Sequence, residues 1–259
     1  MLPEQHSDSP FSFSPFRGNN HYRIVDGVEI PFTHEEELAI QKAYWTDEKT
    51  VAVWAKPEGG LTVGDHHAVL AALEGSGYYE ELGLDPISHL EVGVGAYSYV
   101  DATRLPQGSD MYAVDLSDPL LQRLQENHPN RYTACIAGDA TALPPELGNS
   151  RFKRIISPFL MRYLVREAQL EAILEMVRVT DDGGRIDIID FNKFGHEQEI
   201  GRFSPAAIGN ALRHPLVQTR LARLGKSVDF TYREIAPRRG ELMLNQATLR
   251  VAKLAHQAA

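Results

Sequence analysis

A doubly wound α/β fold with a mostly parallel, Rossmann-like sheet is what this sequence predicts, on three observations. From Ile87 onward, short apolar runs alternate with helix-period segments, the pattern of strands crossed over by helices on both faces. The first run, His89-Leu90-Glu91-Val92, ends in a glycine turn, Gly93-Val94-Gly95. The second, Met111-Tyr112-Ala113-Val114, ends in Asp115, a carboxylate at the carboxyl end of a strand, where sheets of this kind bind ligands.

Taken in order, residues 1–20 are rich in Ser, Pro and Phe and read as a flexible arm. Residues 21–85 read as an N-terminal cap. Tyr22 to Ile30 forms a hairpin around Asp26-Gly27, and Thr33 caps a helix that Leu38, Ile40, Ala43 and Tyr44 continue. Trp54 to Gly60 is a loop, Asp65 to Leu73 a helix, and Tyr78 to Leu82 a short one. Residues 86–259 read as the doubly wound domain, with strands over 88–92, 111–115, 132–136, 154–157 and 185–191. Tyr97 to Leu105 is expected to be helical, and Ser117-Asp118-Pro119 opens a second helix. Leu170, Ile173, Leu174 and Val177 share one face of a third. Residues 205–224 are helical with a break near Pro215. Strands from Ser227 to Ile235 and from Ala247 to Leu254, joined by the Pro237-Arg238-Arg239-Gly240 turn, are expected to be antiparallel.

Composition narrows the class. The chain has 259 residues and a net charge of −9, which argues against a general nucleic-acid binder. No run approaches the roughly 18 apolar residues of a membrane span, and no secretory signal is visible. Cys135 is the single cysteine, so no internal disulfide forms; that fits a reducing, cytoplasmic setting, with Cys135 as a core residue in an apolar strand. Charge is uneven: residues 201–259 hold ten Lys or Arg against three Asp or Glu. That excess reads either as a face docked on the acidic half or as recognition of an anionic substrate.

The glycine turn and Asp115 describe a nucleotide-type site. Gly93 and Gly95 let the backbone turn tightly and approach a ligand. Asp115 is placed to accept from the hydroxyls of a ribose. The third glycine of a pyrophosphate-binding turn is missing, and Glu91, two residues before Gly93, would repel phosphate. A carboxylate there suits an ammonium or sulfonium instead. S-adenosylmethionine, with a ribose, an adenine and a positive sulfonium but no phosphate, fits better than a dinucleotide.

At these residues the chain resembles class I S-adenosylmethionine-dependent methyltransferases, whose first motif is an acid followed by three alternate glycines. Glu91, Gly93 and Gly95 match, and Tyr97 stands at the third glycine. Three further motifs match. They are Val114-Asp115-Leu116-Ser117, Gly138-Asp139-Ala140-Thr141-Ala142-Leu143-Pro144, and Phe152-Lys153-Arg154-Ile155-Ile156-Ser157 with Pro158-Phe159-Leu160, where Lys153 replaces an acid. Arg178-Val179 with Gly183-Gly184-Arg185 matches the turn before the fifth strand. The resemblance implies about seven strands, the last antiparallel. It also implies a cofactor site of Glu91, Gly93, Gly95, Asp115, Leu116, Asp139, Ala140 and Ser157. Asp115 would hold the ribose, and Asp139 would lie near the adenine amino group. On the residues alone, Glu91 also reads as a loop partner, and Asp115 and Asp139 as helix N-caps. Ser157-Pro158-Phe159 is similar to the polar-Pro-Pro-aromatic run of base methylases but lacks the second proline.

Methyl transfer needs alignment, exclusion of water and, for a hydroxyl or ammonium, a base. Candidates are His66, His67, Tyr97, Tyr163, His196 and His214, with His67 and Tyr163 singled out. Adjacent His66 and His67 point about 100° apart on a helix, so one faces the cleft and the other water. No metal-ligand spacing is present. The expected activity is methyl transfer to a small-molecule acceptor, an anionic one included. A different reaction on the same cofactor, or a binding or regulatory protein, remains open at this stage.

Overall fold

The computed structural model describes residues 22–25, 28–55, 63–191, 204–235 and 244–254. The arm at 1–20, the Asp26-Gly27 tip, most of the 54–60 loop, His196 and the turn at Pro237 lie outside the described residues. Strands β1 (Tyr22–Val25) and β2 (Val28–Pro31) pair antiparallel, as the expected hairpin requires. Helix α1 (His34–Thr46) starts at Thr33 with a capping box. The Glu36 amide donates to Thr33 Oγ1 at 3.2 Å, and the Thr33 amide donates to Glu36 Oε2 at 2.8 Å. A further helix, α2 (Glu48–Trp54), was not expected. Asp47 starts it by accepting from the amides of Lys49 and Thr50 at 3.0 and 3.1 Å. Helix α3 (Val63–Gly75) follows, and the short helix expected over Tyr78–Leu82 is a series of turns between left-handed Gly77 and Gly83.

The main sheet has seven strands. They are β3 (Ser88–Val92), β4 (Asp110–Asp115), β5 (Ala134–Ala137), β6 (Phe152–Pro158), β7 (Thr180–Phe191), β8 (Lys226–Ile235) and β9 (Leu244–Lys253). Their spatial order is β5-β4-β3-β6-β7-β9-β8. β3 to β7 run parallel, and β9 lies antiparallel between β7 and β8. The last strand in sequence is thus the antiparallel one, but it is inserted beside β7 and leaves β8 at the edge. β5 starts two residues later than the pattern suggested, and β7 starts earlier, its Asp181–Gly184 turn absorbed as an irregularity in the β6–β7 register. Helices α4 (Asp118–Asn127), α5 (Arg166–Val179), α6 (Pro205–Leu212) and α7 (Pro215–Arg223) complete the layers. The break before Pro215 falls as expected.

The expected helix over Tyr97–Leu105 is absent; only a 3-10 turn at Ala102–Arg104 forms, capped by Asp101. The backbone groups that a helix would pair are taken by side chains. Tyr99 N donates to Glu91 Oε1 at 3.0 Å, Val100 N to Ser98 Oγ at 3.3 Å, and Asn127 Nδ2 to Ala96 O at 3.0 Å. The Val100 carbonyl accepts from Arg131 Nη2. Side-chain competition of this kind defeats a helix whose residues have only moderate propensity.

The sheet's helix-covered face carries buried charge. Arg185 and Asp187, both fully buried, pair at 2.8 and 2.9 Å, and Arg185 also holds the Ser76 carbonyl at 3.0 Å, tying the end of α3 to β7. Beside them His89 is fully buried, with Nε2 on the Tyr78 hydroxyl. Burial first, then the charges of Arg131 and Arg154, push its imidazole down to about 3. An unfolded histidine titrates near 6.5, so the folded value is depressed. The stability this represents is present above about pH 6.5 and is lost as pH falls from there toward 3. Chemical denaturation at a series of pH values is expected to show this acid loss in the wild type and a shallower slope in His89→Gln; identical slopes would contradict it.

Candidate active site

The strand order changes sense at β3: β4 and β5 lie on one side of it, β6 and β7 on the other. Such a switch point leaves a crevice at the carboxyl ends of the strands. A cavity of about 530 Å³ lies there, within the usual size range of ligand sites. Six of the eight expected cofactor contacts line it: Gly93, Gly95, Asp115, Leu116, Asp139 and Ala140.

Both turn glycines are left-handed. Gly93 has φ +70°, and a Cβ there would come within 2.9 Å of Leu160. Gly95 has φ +64°, and a Cβ there would meet nothing within 4 Å. The turn is therefore packed at Gly93 and open at Gly95. Asp115 Oδ2 accepts from the Gly95 amide at 2.8 Å, and Oδ1 from the Ser117 amide at 2.9 Å. One carboxylate thus fixes the turn to the end of β4 while facing the cavity. Burial raises its pKa, and the amides of Ser117 and Gly95 oppose the rise. Asp139 accepts from the Thr141 amide at 2.8 Å and hydroxyl at 2.7 Å, folding the turn that sets Ala140 in the wall.

Glu91 and Ser157 are fully buried and do not line the cavity. Glu91 turns beneath the loop that follows the glycines. Its oxygens accept from the Ser98 hydroxyl at 2.9 Å, the Tyr99 amide at 3.0 Å and the Tyr132 hydroxyl. Buried and off the cavity wall, Glu91 anchors this loop, the partner role the residues alone also offered beside the sulfonium neighbourhood. Ser157 lies within β6, and the next residues, Pro158 to Leu160, reach the cavity instead. Phe159 there has φ +57°, a left-handed backbone that is strained for a bulky residue, held by its amide on the Ile189 carbonyl at 2.7 Å.

The rest of the wall comes from the N-terminal helices. Ser117 Oγ donates to the Trp45 carbonyl at 2.6 Å, Gln41 Nε2 to the Tyr163 carbonyl at 2.9 Å, and the Tyr97 hydroxyl to the Ala55 carbonyl at 2.7 Å. Tyr97, at the third-glycine position, thus ties the turn to the end of α2. Trp45 meets Trp54 and Tyr163 edge-on at 5.3 and 5.1 Å, closing an aromatic side.

Of the histidines, His66 lines the cavity and His67 is exposed, which corrects the choice of His67; the 100° helical step turns it to water. Burial, then His67 and Arg131, hold the His66 imidazole below the usual range. Tyr163 lines the cavity with its hydroxyl pKa raised by burial, so it stays protonated. His214 is exposed and caps α7 through its Nδ1. Sequence reasoning missed His128 and Arg131, which line the cavity from the end of α4. Nothing local marks them apart from an ordinary helix terminus. Cys135 is half-buried, and burial pushes its thiol up to about 11, so it is unreactive. Among the described residues no group of three His, Cys, Asp or Glu is set to hold a metal. No described helix is long and apolar enough to cross a membrane.

Residues 90–188 match the family model described as a methyltransferase domain. Over that span the chain matches a methyltransferase domain, and its fold is the one class I methyltransferases have. Solved structures share its fold at low identity. Magnesium protoporphyrin IX methyltransferase of Synechocystis with bound SAM is 15% identical with a TM-score of 0.53, over 83% of this chain and 97% of that one. The 1,6-didemethyltoxoflavin-N1-methyltransferase of Burkholderia thailandensis is 18% identical with a TM-score of 0.54, over 87% and 94%. Phosphoethanolamine N-methyltransferase 1 of Haemonchus contortus is 14% identical with a TM-score of 0.59, over 88% of this chain but 51% of its own length. At such identities the likeness is one of fold. No curated protein matches the chain in sequence.

The two turn glycines of the methyltransferase domain are expected to respond differently to a methyl group. Gly95→Ala carries the roughly 1–2 kcal/mol of a left-handed alanine. Gly93→Ala adds displacement of Leu160, for a total of about 2–4 kcal/mol. Denaturant unfolding of both variants measures the difference; equal losses would contradict the packing at Gly93.

Proposed function

We propose that this chain transfers a methyl group from S-adenosylmethionine to an oxygen or nitrogen of a small-molecule acceptor. The observation that carries the reading is the joint of Gly95 and Asp115 on the wall of the switch-point cavity. That joint offers a flat backbone surface and a carboxylate side by side, the arrangement a nucleoside needs. The residues fit this cofactor better than a dinucleotide. No α-helix follows the glycine turn, so no helix N-terminus awaits a pyrophosphate.

When bound, S-adenosylmethionine supplies an activated methyl on a sulfonium. Asp115 would accept from the ribose hydroxyls through lone pairs its amide partners leave, and Leu116, Asp139 and Ala140 would receive the adenine. The helices α1 and α2 act as a cap that excludes water, with Trp45, Trp54 and Tyr163 presenting an apolar surface to the acceptor. For a hydroxyl acceptor, His66, whose imidazole burial holds below the usual range, would take the hydroxyl proton. Tyr163 orients the acceptor as a hydrogen-bond donor.

Calorimetry with S-adenosylhomocysteine is expected to show binding, and NAD to show none. Asp115→Asn is expected to weaken that binding about tenfold or more, the worth of a charge-assisted hydrogen bond. Incubation with methyl-labelled cofactor and a metabolite extract should yield a labelled small molecule. Absence of both heat and labelled product would overturn the reading.

A further inference from the structure

Arg131 is the cation whose surroundings are least explained by the fold. It reaches the cavity wall from the chain between α4 and β5, beside His66 and His128, where Ser98 to Asp101 run without helical structure. It is half-buried. Its side chain donates one hydrogen bond, from Nη2 to the Val100 carbonyl, and makes no ion pair with a described carboxylate. Its Nε is shut away from solvent with no acceptor.

The carboxylates whose charge reaches it are committed elsewhere. Glu91 is held by Ser98, Tyr99 and Tyr132, and Asp101 accepts from the Thr103 amide at 3.0 Å and hydroxyl at 2.7 Å. A half-buried guanidinium with its Nε shut away and one neutral acceptor keeps donors for an anion that reaches the cavity. Its planar fork matches a carboxylate in two parallel hydrogen bonds. The two flanking imidazoles complete the setting. Burial first, then charges that include Arg131, lower the pKa of both His66 and His128, so both are neutral donors and acceptors near pH 7. Other polar groups facing this corner are exposed His67, which His66 senses, and Tyr99, whose ring lies 5.3 Å from that of His66.

We propose that Arg131, flanked by His66 and His128, forms a carboxylate-binding subsite of the cavity. The proposal rests on reading that cavity as the cofactor and acceptor site. Two ligands could bring the carboxylate: the amino-acid end of S-adenosylmethionine, or an anionic acceptor. In either case an anion arriving between neutral imidazoles raises their proton affinity, so binding near pH 7 draws protons from solution.

Three probes separate the possibilities by calorimetry: S-adenosylhomocysteine, methylthioadenosine, which lacks the amino-acid end, and benzoate, titrated with and without S-adenosylhomocysteine. Each is run on the wild type, Arg131→Met and Arg131→Lys, with melting curves to confirm folding. If the cofactor brings the carboxylate, Arg131→Met weakens S-adenosylhomocysteine about tenfold or more and methylthioadenosine less than about twofold. If the acceptor brings it, both nucleosides bind unchanged and benzoate binding is lost. Proton uptake, read from heats in two buffers of different ionisation enthalpy, accompanies whichever ligand carries the anion in the wild type. Should Arg131→Met not fold, Arg131→Lys shows the same pattern at smaller amplitude, since the charge stays and the fork is lost. Equal weakening of both nucleosides, or no change with any probe, overturns the subsite. If the wild type binds neither nucleoside, the cofactor reading fails by itself. Benzoate alone then decides: Arg131-dependent binding supports the subsite and its absence overturns it.

Discussion

One buried carboxylate decides the shape of this site. Glu91 sits at 0% exposure in the strand that leads into the glycine turn. An ionised carboxylate so placed demands donors, and burial raises its pKa despite those it has. The donors it gathers are the Ser98 hydroxyl, the Tyr99 amide and the Tyr132 hydroxyl. Two of them belong to the chain just after the glycines. Once the Tyr99 amide is spent on Glu91, it cannot bond back along a helix, and the residues to Asp101 stay irregular. The irregular stretch opens the corner in which His66, His128 and Arg131 meet. A strand residue thus sets the cavity's outline without touching its interior.

The cavity is completed from a second direction by backbone carbonyls. Trp45, Ala55 and Tyr163 each offer a carbonyl to a side chain: Ser117, Tyr97 and Gln41 respectively. Two of these bonds join the cap helices to the strand-end turns that hold Gly95 and Asp115. The tyrosine at the third-glycine position is the tie that reaches farthest, from the glycine turn to the end of α2. A glycine there would allow closer approach of a ligand but remove one of the three ties to α1 and α2.

Much of this was legible in the sequence, and the boundary has a physical cause. The central strands were readable because buried parallel strands are continuous apolar runs bounded by turns. β3 matches its expected span residue for residue. Gly93, Gly95, Asp115, Leu116, Asp139 and Ala140 were readable because a strand end and its turn lie within a few residues of each other. Their placement needs no knowledge of the rest of the chain. The failures at Tyr97–Leu105 and at α2 were different in kind. The first is undone by Glu91, Asn127 and Arg131, which approach from separate strands and helices. The second rests on Asp47, an N-cap that followed another helix too closely to stand out. Arg131 and His128 escaped notice because what sets them apart is their meeting with His66 of α3, far away in sequence.

Replacing a helix by a side-chain-tethered loop also changes how the site handles charge. A helix beginning at the glycine turn would aim several amides and a partial positive charge at the ligand. Here the cations on the cavity wall are guanidinium groups, Arg131 beside His66 and Arg162 beside Phe159. A side-chain cation can select one anionic group by its geometry, whereas a helix terminus attracts any nearby negative charge. On the proposed reading the nucleoside would need neither, since Asp115 and the turn suit neutral hydroxyls and a purine. The domain thus keeps a backbone-built half that depends on local sequence and has a side-chain-built half assembled from distant residues.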